Sequence, residues 1–112
     1  MNRVLLIGEL TNEVEVQRHR RSGPAWAKTT IAVTRGTKGA IDFVPVVLRD
    51  REAVQASRYL GGGSLIAVEG HVHSAVTPVR DDDDLHTRRL VWVIADRVFY
   101  LRLPRVVAGA RA

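Results

Sequence analysis

The stretch that decides the fold opens the chain, where residues 1–11 read MNRVLLIGELT. Successive side chains of a strand point to opposite sides, so the four consecutive apolar residues from Val4 to Ile7 put apolar groups on both faces. One face can enter a core, and the other then needs a partner, which indicates self-association. We predict a first strand from Asn2 to Gly8.

Four further strands and one helix follow from the periodicity of the remaining chain. The strands are expected at residues 25–34, 41–48, 65–76 and 88–95, the last with a possible continuation to residue 101. Alternation puts the odd-numbered residues 27–33 on the core side and Trp26 and Lys28 on the other side of the first of these strands, and it puts Phe43, Pro45 and Val47 on one face of the next. The helix is expected at residues 51–60, and residues 13–16 alternate as a half-buried strand would. The pattern is therefore all-β, with one helix between the third and fourth long strands.

Local signals place the boundaries of these elements. Asp50 suits a helix N-cap, and the glycines at 61–63 suit a left-handed helix end. Pro45 has no N–H to donate, so it should lie at an edge or a bulge of the sheet. Residues 78–86 are rich in charge and are expected to form a loop.

Composition sets the broad class of protein. The 112 residues predict one domain over residues 1–103 and a short basic tail over 104–112. The chain has no cysteine, which excludes disulfides and thiol chemistry, and no apolar run long enough to span a membrane. These features lead us to expect a cytoplasmic protein.

The charge pattern favours a polyanionic partner. The formal net charge is +5, and of the 17 basic residues only Lys28 and Lys38 are lysine. Guanidinium groups bind phosphates in a bidentate manner and stack on bases. An arginine codon preference in a GC-rich genome explains the same bias, and both interpretations stay open.

Three segments carry a resemblance to a known family. The opening strand, the stretch DFVPVV at 42–47 and the stretch LGGGSLIAVEG at 60–70 resemble, in order and spacing, the bacterial single-stranded DNA-binding proteins. The resemblance runs from Met1 to about Leu101. It implies a five-stranded OB-fold barrel, an oligomer arranged as a dimer of dimers, and binding of single strands over the second and third strands and their flanking loops.

Single-strand binding without sequence preference needs flat rings for bases and cations for phosphates. The resemblance assigns a stacking role to Phe43. Trp26 and Trp92 are our own candidates, with an oligomer contact as the alternative for Trp26 and packing or an interface for Trp92. Tyr59 is expected to pack the helix on the barrel. The basic candidates are Arg18, Arg20, Arg21, Lys28, Arg35, Lys38, Arg49, Arg51, Arg88 and Arg89.

Departures from the family pattern lead us to expect weak binding or a short footprint. Thr37, Arg49 and Thr77 occupy positions where family members often have aromatics, and of these three only the guanidinium of Arg49 can stack. Members of the family usually end in a disordered segment with an acidic tip, which residues 104–112 do not resemble. The sequence is consistent with a divergent or paralogous member, or with a piece of a longer chain.

Two other functions remain possible at this point. An OB-fold module that binds protein, such as a primosome-like accessory or a partner subunit, would also lack stacking aromatics, and an RNA-binding OB domain would share the basic loops. Catalysis is not expected, because no nucleophile or acid–base motif is present. His71 and His73 share a strand face, and residues 81–84 are all aspartate, but neither group predicts a metal site, and no cofactor is expected.

Overall fold

The computed structural model describes residues 1–81 and 84–104. In chain order, this part of the protein contains β1 (Val4–Leu10), β2 (Gln17–Arg18), β3 (Ala25–Arg35), β4 (Ala40–Arg49), α1 (Asp50–Tyr59), β5 (Leu65–Asp81) and β6 (Asp84–Arg102). The basic tail was predicted at residues 104–112, and all of it except Pro104 lies outside the described part.

The five long strands form one sheet that closes into a ring. Their order is β1-β5-β6-β4-β3, and β1 pairs with β3 through Glu9–Ala32 and Leu10–Ile31, which joins the two ends. All of these pairings are antiparallel except the short β4–β6 pairing at Val46–Val93 and Val47–Ile94. Five strands in a ring with one helix between β4 and β5 is the predicted OB-fold arrangement.

The core lies inside this ring and is built by alternate residues of its strands. Along β3, the odd-numbered residues from Ala25 to Ile31 are buried, as the alternation predicted. Each fully buried aliphatic side chain contributes about 1.5–3 kcal/mol to folding relative to an exposed one. The largest fully buried aliphatic residues are Ile31, Val46, Leu48, Ile66 and Val68.

The ends of the helix differ from the prediction. The N-cap residue is Arg49, and Asp50 is the first helical residue with a φ of 55°. Aspartate tolerates this left-handed region better than most residues. The change of direction from β4 into α1 therefore takes place at Asp50 itself. At the other end Leu60 is extended, and the positive φ of 90° falls at Gly63, three residues later than a glycine C-cap would be.

β5 and β6 form a longer hairpin than predicted. Strand pairing continues outwards to Asp81 and Asp84, so most of the expected loop at 78–86 is strand, while residues 82–83 lie outside the described part. We call residues 74–81 and 84–91 the ribbon, because beyond His73 the described pairings of β5 and β6 are with each other alone. Eight residues of strand correspond to a projection of about 27 Å.

The remaining local predictions have mixed outcomes. Residues 13–16 form no strand, although Val14 is buried as the alternation suggested. Pro45 pairs with Thr30 of β3. The other side of β4 pairs with β6 at Val46 and Val47, so Pro45 lies directly before the residues at which that side of β4 becomes paired. Tyr59 is exposed and does not pack the helix on the sheet.

Candidate nucleic-acid interface

The outer face of β3 and β4 carries most of the candidate aromatics. The register pairs Trp26 with Arg49, Lys28 with Val47 and Ala32 with Phe43. Because side chains alternate, these residues share the side of the sheet that points away from the core. We call this surface the platform face, and it comprises Trp26, Lys28, Thr30, Ala32, Thr34, Ile41, Phe43, Pro45, Val47 and Arg49.

Phe43 and Trp26 lie far apart on the platform face. Phe43 is 64% exposed, whereas Trp26 is half-buried. Phe43 is six residues from Arg49, the cross-strand partner of Trp26, which places the two rings about 20 Å apart along the strands. One base therefore cannot contact both rings, and a strand that contacts both must span the face.

Trp26 lies beside a second tryptophan from another strand. Trp92 on β6 and Trp26 on β3 line an open groove of about 440 Å³, whose other lining residues include Lys28 and the β4 residues Pro45 and Val47. Since β4 lies between β3 and β6, the tryptophans form the two sides of the groove and the β4 residues form its floor. The predicted residues Trp26, Lys28 and Trp92 are thus brought together.

Each tryptophan is supported by a histidine on its far side. The rings of His19 and Trp26 have centroids 5.9 Å apart, and those of His73 and Trp92 are 5.0 Å apart. The indole Nε1 of Trp26 is buried without a hydrogen-bond partner among the described residues. What Trp26 presents to solvent is therefore carbon surface, which suits stacking and not hydrogen bonding.

The predicted cations divide into several environments. Lys28 lies on the platform face and is exposed, and Lys38 lies in the exposed turn between β3 and β4. Arg49 lies beside Trp26, where its Nη2 atom is 3.8 Å from Asp96 Oδ1. Asp96 also hydrogen-bonds His71, with 3.0 Å between Oδ2 and Nδ1. Arg49 is thus loosely paired and half exposed.

Arg35 lies just beyond the strand predicted at residues 25–34 but inside the observed strand. It is the last residue of β3, and its Nη2 and Nε atoms donate to the two carboxylate oxygens of Asp42 at 2.7 and 3.2 Å. These hydrogen bonds hold the pKa of Asp42 below its ordinary value and raise that of Arg35. The pair is exposed and adds little to stability, but it neutralises the charge of Arg35 locally.

The basic turn before β3 lies beside Trp26, on the side away from the groove. Arg18 donates to the carbonyl of Gly23 at 2.8 Å and so closes the turn, while the exposed side chains of Arg20 and Arg21 project from it. The contact of His19 with Trp26 places this turn at the end of the platform face. Arg20 and Arg21 are accordingly in reach of a strand that follows the face.

Three other predicted cations lie elsewhere. Arg88 and Arg89 are exposed on the ribbon, opposite Thr77 and Val76. Arg51 lines a groove with Arg49 and with the carboxylates of Asp50, Glu52 and Asp96. The three carboxylates reduce the attraction of this groove for a phosphate.

Several residues that shape the site were missed as site residues. Pro45 and Val47 form the groove floor, and the alternation that put them on the face of Phe43 was the available signal. Glu13 and Glu15 line a second groove on the other side of Trp26 and Lys28, a proximity that sequence spacing could not reveal. Trp26 therefore separates an acidic groove from a mainly apolar one.

Among residues 1–81 and 84–104, no group of three or more potential ligands is placed to hold a metal ion. His71 is hydrogen-bonded to Asp96, and His73 contacts Trp92. The helix in the described part of the chain falls short of the length and apolarity that a membrane crossing requires.

The fold and this face define an OB-fold protein with an aromatic and basic outer surface. The chain belongs to the single-strand binding protein family, whose model matches residues 1–100. The single-stranded DNA-binding protein of Clostridium tetani is 35% identical over 106 residues, which are 90% of this chain and 70% of that protein.

Two further relatives carry similar names. Single-stranded DNA-binding protein 3 of Clostridium acetobutylicum is 33% identical over 90% of this chain and 71% of its own length. The single-stranded DNA-binding protein of Wolinella succinogenes is 42% identical over 78 residues, which cover 63% of this chain and 48% of that protein. The resemblance stated from the three sequence segments is thereby confirmed.

Proposed function

We propose that this protein binds single-stranded DNA without sequence preference and protects or presents it during replication, recombination or repair. The observation that carries the proposal is the platform face, on which an exposed Phe43 and the half-buried Trp26 share one surface with Lys28 and Arg49. Rings that take bases and cations that take phosphates are the two components such binding needs. Membership of the single-strand binding protein family supports the same function.

The backbone of the strand would follow the cations of the platform face. Lys28, Arg49, Arg20 and Arg21 are the main candidates, with Lys38 near Phe43. Arg35 contributes less because Asp42 holds it, and both Arg49 and Arg51 share their groove with the carboxylates of Asp50, Glu52 and Asp96. Arg88 and Arg89 would extend the path along the ribbon. This protein binds the DNA strand without making or breaking covalent bonds. It acts in the cytoplasm, at the nucleoid.

We further propose that the protein works as a homo-oligomer, a tetramer arranged as a dimer of dimers. On the outer side of β1 and β6, apolar residues that a monomer leaves in water form a second surface, which we call the apolar face: Leu5, Ile7, Phe99 and Leu101 are 70%, 54%, 46% and 51% exposed. β5 connects them, because Ala67 pairs with both Ile7 and Phe99. Such a surface suits a second copy of the chain.

A fluorescence titration with poly(dT) at several salt concentrations tests the function. We expect saturable binding, with log affinity falling linearly with log salt by about 0.7 for each phosphate contact. The few exposed rings lead us to expect weaker binding, or a shorter site, than a replicative relative shows. Competition with poly(U) tests the preference for DNA. Absence of binding even at low salt would contradict the proposal and favour a protein-binding module.

A further inference from the structure

The groove between Trp26 and Trp92 has the dimensions of a site for flat rings. Its sides come from β3 and β6, which lie on either side of β4. Neighbouring strands are about 4.8 Å apart, so the sides are separated by roughly 10 Å at the backbone. A planar ring in van der Waals contact with an indole occupies about 3.5 Å. An unpaired base can therefore lie against either tryptophan over the floor of Pro45 and Val47.

The chemistry of the groove suits a base of any identity. The buried Nε1 of Trp26 leaves carbon surface as the accessible part of that ring. Pro45 and Val47 add aliphatic surface and no side-chain donor or acceptor. Stacking on such surfaces tolerates every base, because each base has a π face.

Charge favours a polyanion on this side of Trp26. Lys28 is the one charged residue among those that line the groove, all of which lie in the described part of the chain. The groove on the opposite side of Trp26 and Lys28 contains the carboxylates of Glu13 and Glu15. Within the two grooves, a phosphate is therefore more favourable on the side of Trp92 than beside the carboxylates of Glu13 and Glu15.

The size of the groove argues against a folded protein as its occupant. A standard protein interface uses about 20–30 residues on each side, and the whole groove is lined by seven. It is continuous with the platform face through Trp26, Lys28 and Val47. A nucleic-acid strand that crosses the platform face would thus enter the groove directly.

We propose that Trp26 and Trp92 form a second base-stacking site, separate from Phe43, in which Lys28 binds the adjoining phosphate of a single strand. The proposal rests on the proposed function, since it names a subsite for the same ligand. Phe43 lies about 20 Å away along the strands, so the two sites contact different nucleotides.

Intrinsic fluorescence tests the site directly, because the chain contains two tryptophans and both line the groove. Trp92→Phe leaves Trp26 as the single reporter, and Trp26→Phe leaves Trp92. We expect saturating oligo(dT) to quench the emission of both variants. If either indole keeps its full emission while the strand is bound, as followed by the anisotropy of a labelled oligonucleotide, the proposal is wrong.

Affinity provides the second measurement. Trp26→Leu and Trp92→Leu keep apolar bulk but remove the ring, and each should weaken oligo(dT) binding by about 5- to 150-fold. Tyr59→Leu, which removes an exposed ring on the helix, is the matched control and should bind like the wild type. Circular dichroism and melting curves identify any variant that fails to fold, and the fluorescence test then decides.

The two proposals fail in different ways. If the wild-type protein binds no single strand, the proposed function itself is wrong. If the wild type binds and both folded leucine variants change affinity less than twofold, the function stands and the second stacking site does not. Combining Phe43→Leu with Trp92→Leu should multiply the two losses, because sites this far apart act independently.

Discussion

The charge that a residue offers to a ligand depends on its neighbours across the sheet. Arg35 was expected to be a free cation, but its side chain lies on the same side of β3 as Val33 and reaches Asp42 diagonally on β4. Lys28, on the opposite side of the same strand, forms no ion pair within the described residues and remains available. The pairing follows from the strand register, which the sequence did not specify.

Asp42→Asn should turn Arg35 into a phosphate ligand. The substitution removes the charged acceptor of both guanidinium hydrogen bonds and one negative charge near Phe43. We expect oligo(dT) affinity at low salt to rise a few fold and the salt slope to steepen by about 0.7, the value for one added phosphate contact. Fluorescence titrations at several salt concentrations measure both quantities.

The double variant Arg35→Gln/Asp42→Asn is the control for that prediction. It removes the same carboxylate but supplies no free guanidinium, so most of the steeper slope should disappear. Equal slopes for the single and double variants would show that Arg35 does not reach the strand. A tighter affinity with an unchanged slope would indicate that Asp42 acted by repulsion alone.

At the scale of elements, alternation predicted the ring strands well and the ribbon poorly. β3 and β4 lie within a residue or two of their predicted bounds, because one side of each strand is buried and therefore patterned. The ribbon exposes both of its sides, so charged residues are tolerated and Pro78 pairs opposite Thr87. The loop prediction for residues 78–86 relied on their richness in charge. Because both sides of the ribbon are exposed, a charge-rich segment can form a strand there.

Gly70 marks where β5 changes register against β6. The pairing shifts between Glu69 and Gly70, and a Cβ atom on Gly70 would clash with the backbone carbonyl oxygen of Ile94. That oxygen belongs to backbone in the ring and cannot move away without disturbing the β4–β6 pairing at Val47. Close approach of two strands is the physical reason for glycine at this position.

Gly70→Ala should therefore destabilise the protein strongly. Overpacking of this kind costs about 1–3 kcal/mol or more, which corresponds to a fall in Tm on the order of 10 °C. Gly62→Ala is the matched control, because its Cβ would meet no atom closer than 3.7 Å. Thermal unfolding followed by circular dichroism compares the two, and an equal Tm for both variants would contradict the assigned role of Gly70.

For the whole molecule, the opening strand predicted more than its own conformation. Its inward residues, Gly8 and Leu10, are buried, whereas Leu5 and Ile7 point away from the core and remain in water. The sequence thus indicated that one apolar side of β1 stays outside the core. It could not indicate that Phe99 and Leu101, almost a whole chain length away, enlarge the same surface, because that depends on the pairing of β5 with both β1 and β6.

The residues of the candidate site were predictable from the sequence, but their arrangement around one groove was not. Alternation placed Trp26 and Lys28 on one face, and the family resemblance singled out Phe43. The placement of Trp26 and Trp92 on one groove depends on the parallel pairing of β4 with β6, in which Val46 pairs with Val93, 47 residues later in the chain. Two residue pairs make that contact, and no local pattern encodes it.

Ile7→Glu should dissociate the proposed oligomer. An unpaired carboxylate buried at an interface costs several kcal/mol, so the apolar face could no longer join two copies. Sedimentation velocity should show a shift of the wild-type oligomer towards smaller species. The ring itself should remain folded, because the side chain of Ile7 is more than half exposed in the monomer and circular dichroism can verify its structure.

Tyr59→Glu supplies the matched control, since it places the same charge on an exposed apolar ring of the helix, away from the apolar face. It should sediment like the wild type. In each Ile7→Glu protomer, oligo(dT) should still quench the tryptophan emission. Ile7 lines a groove with Ala32, Thr34 and Ile41, at the other end of the platform face from the groove that contains Trp26 and Trp92. If Ile7→Glu sediments like the wild type, the subunits associate through another surface, and the exposed residues of β1 need a different partner.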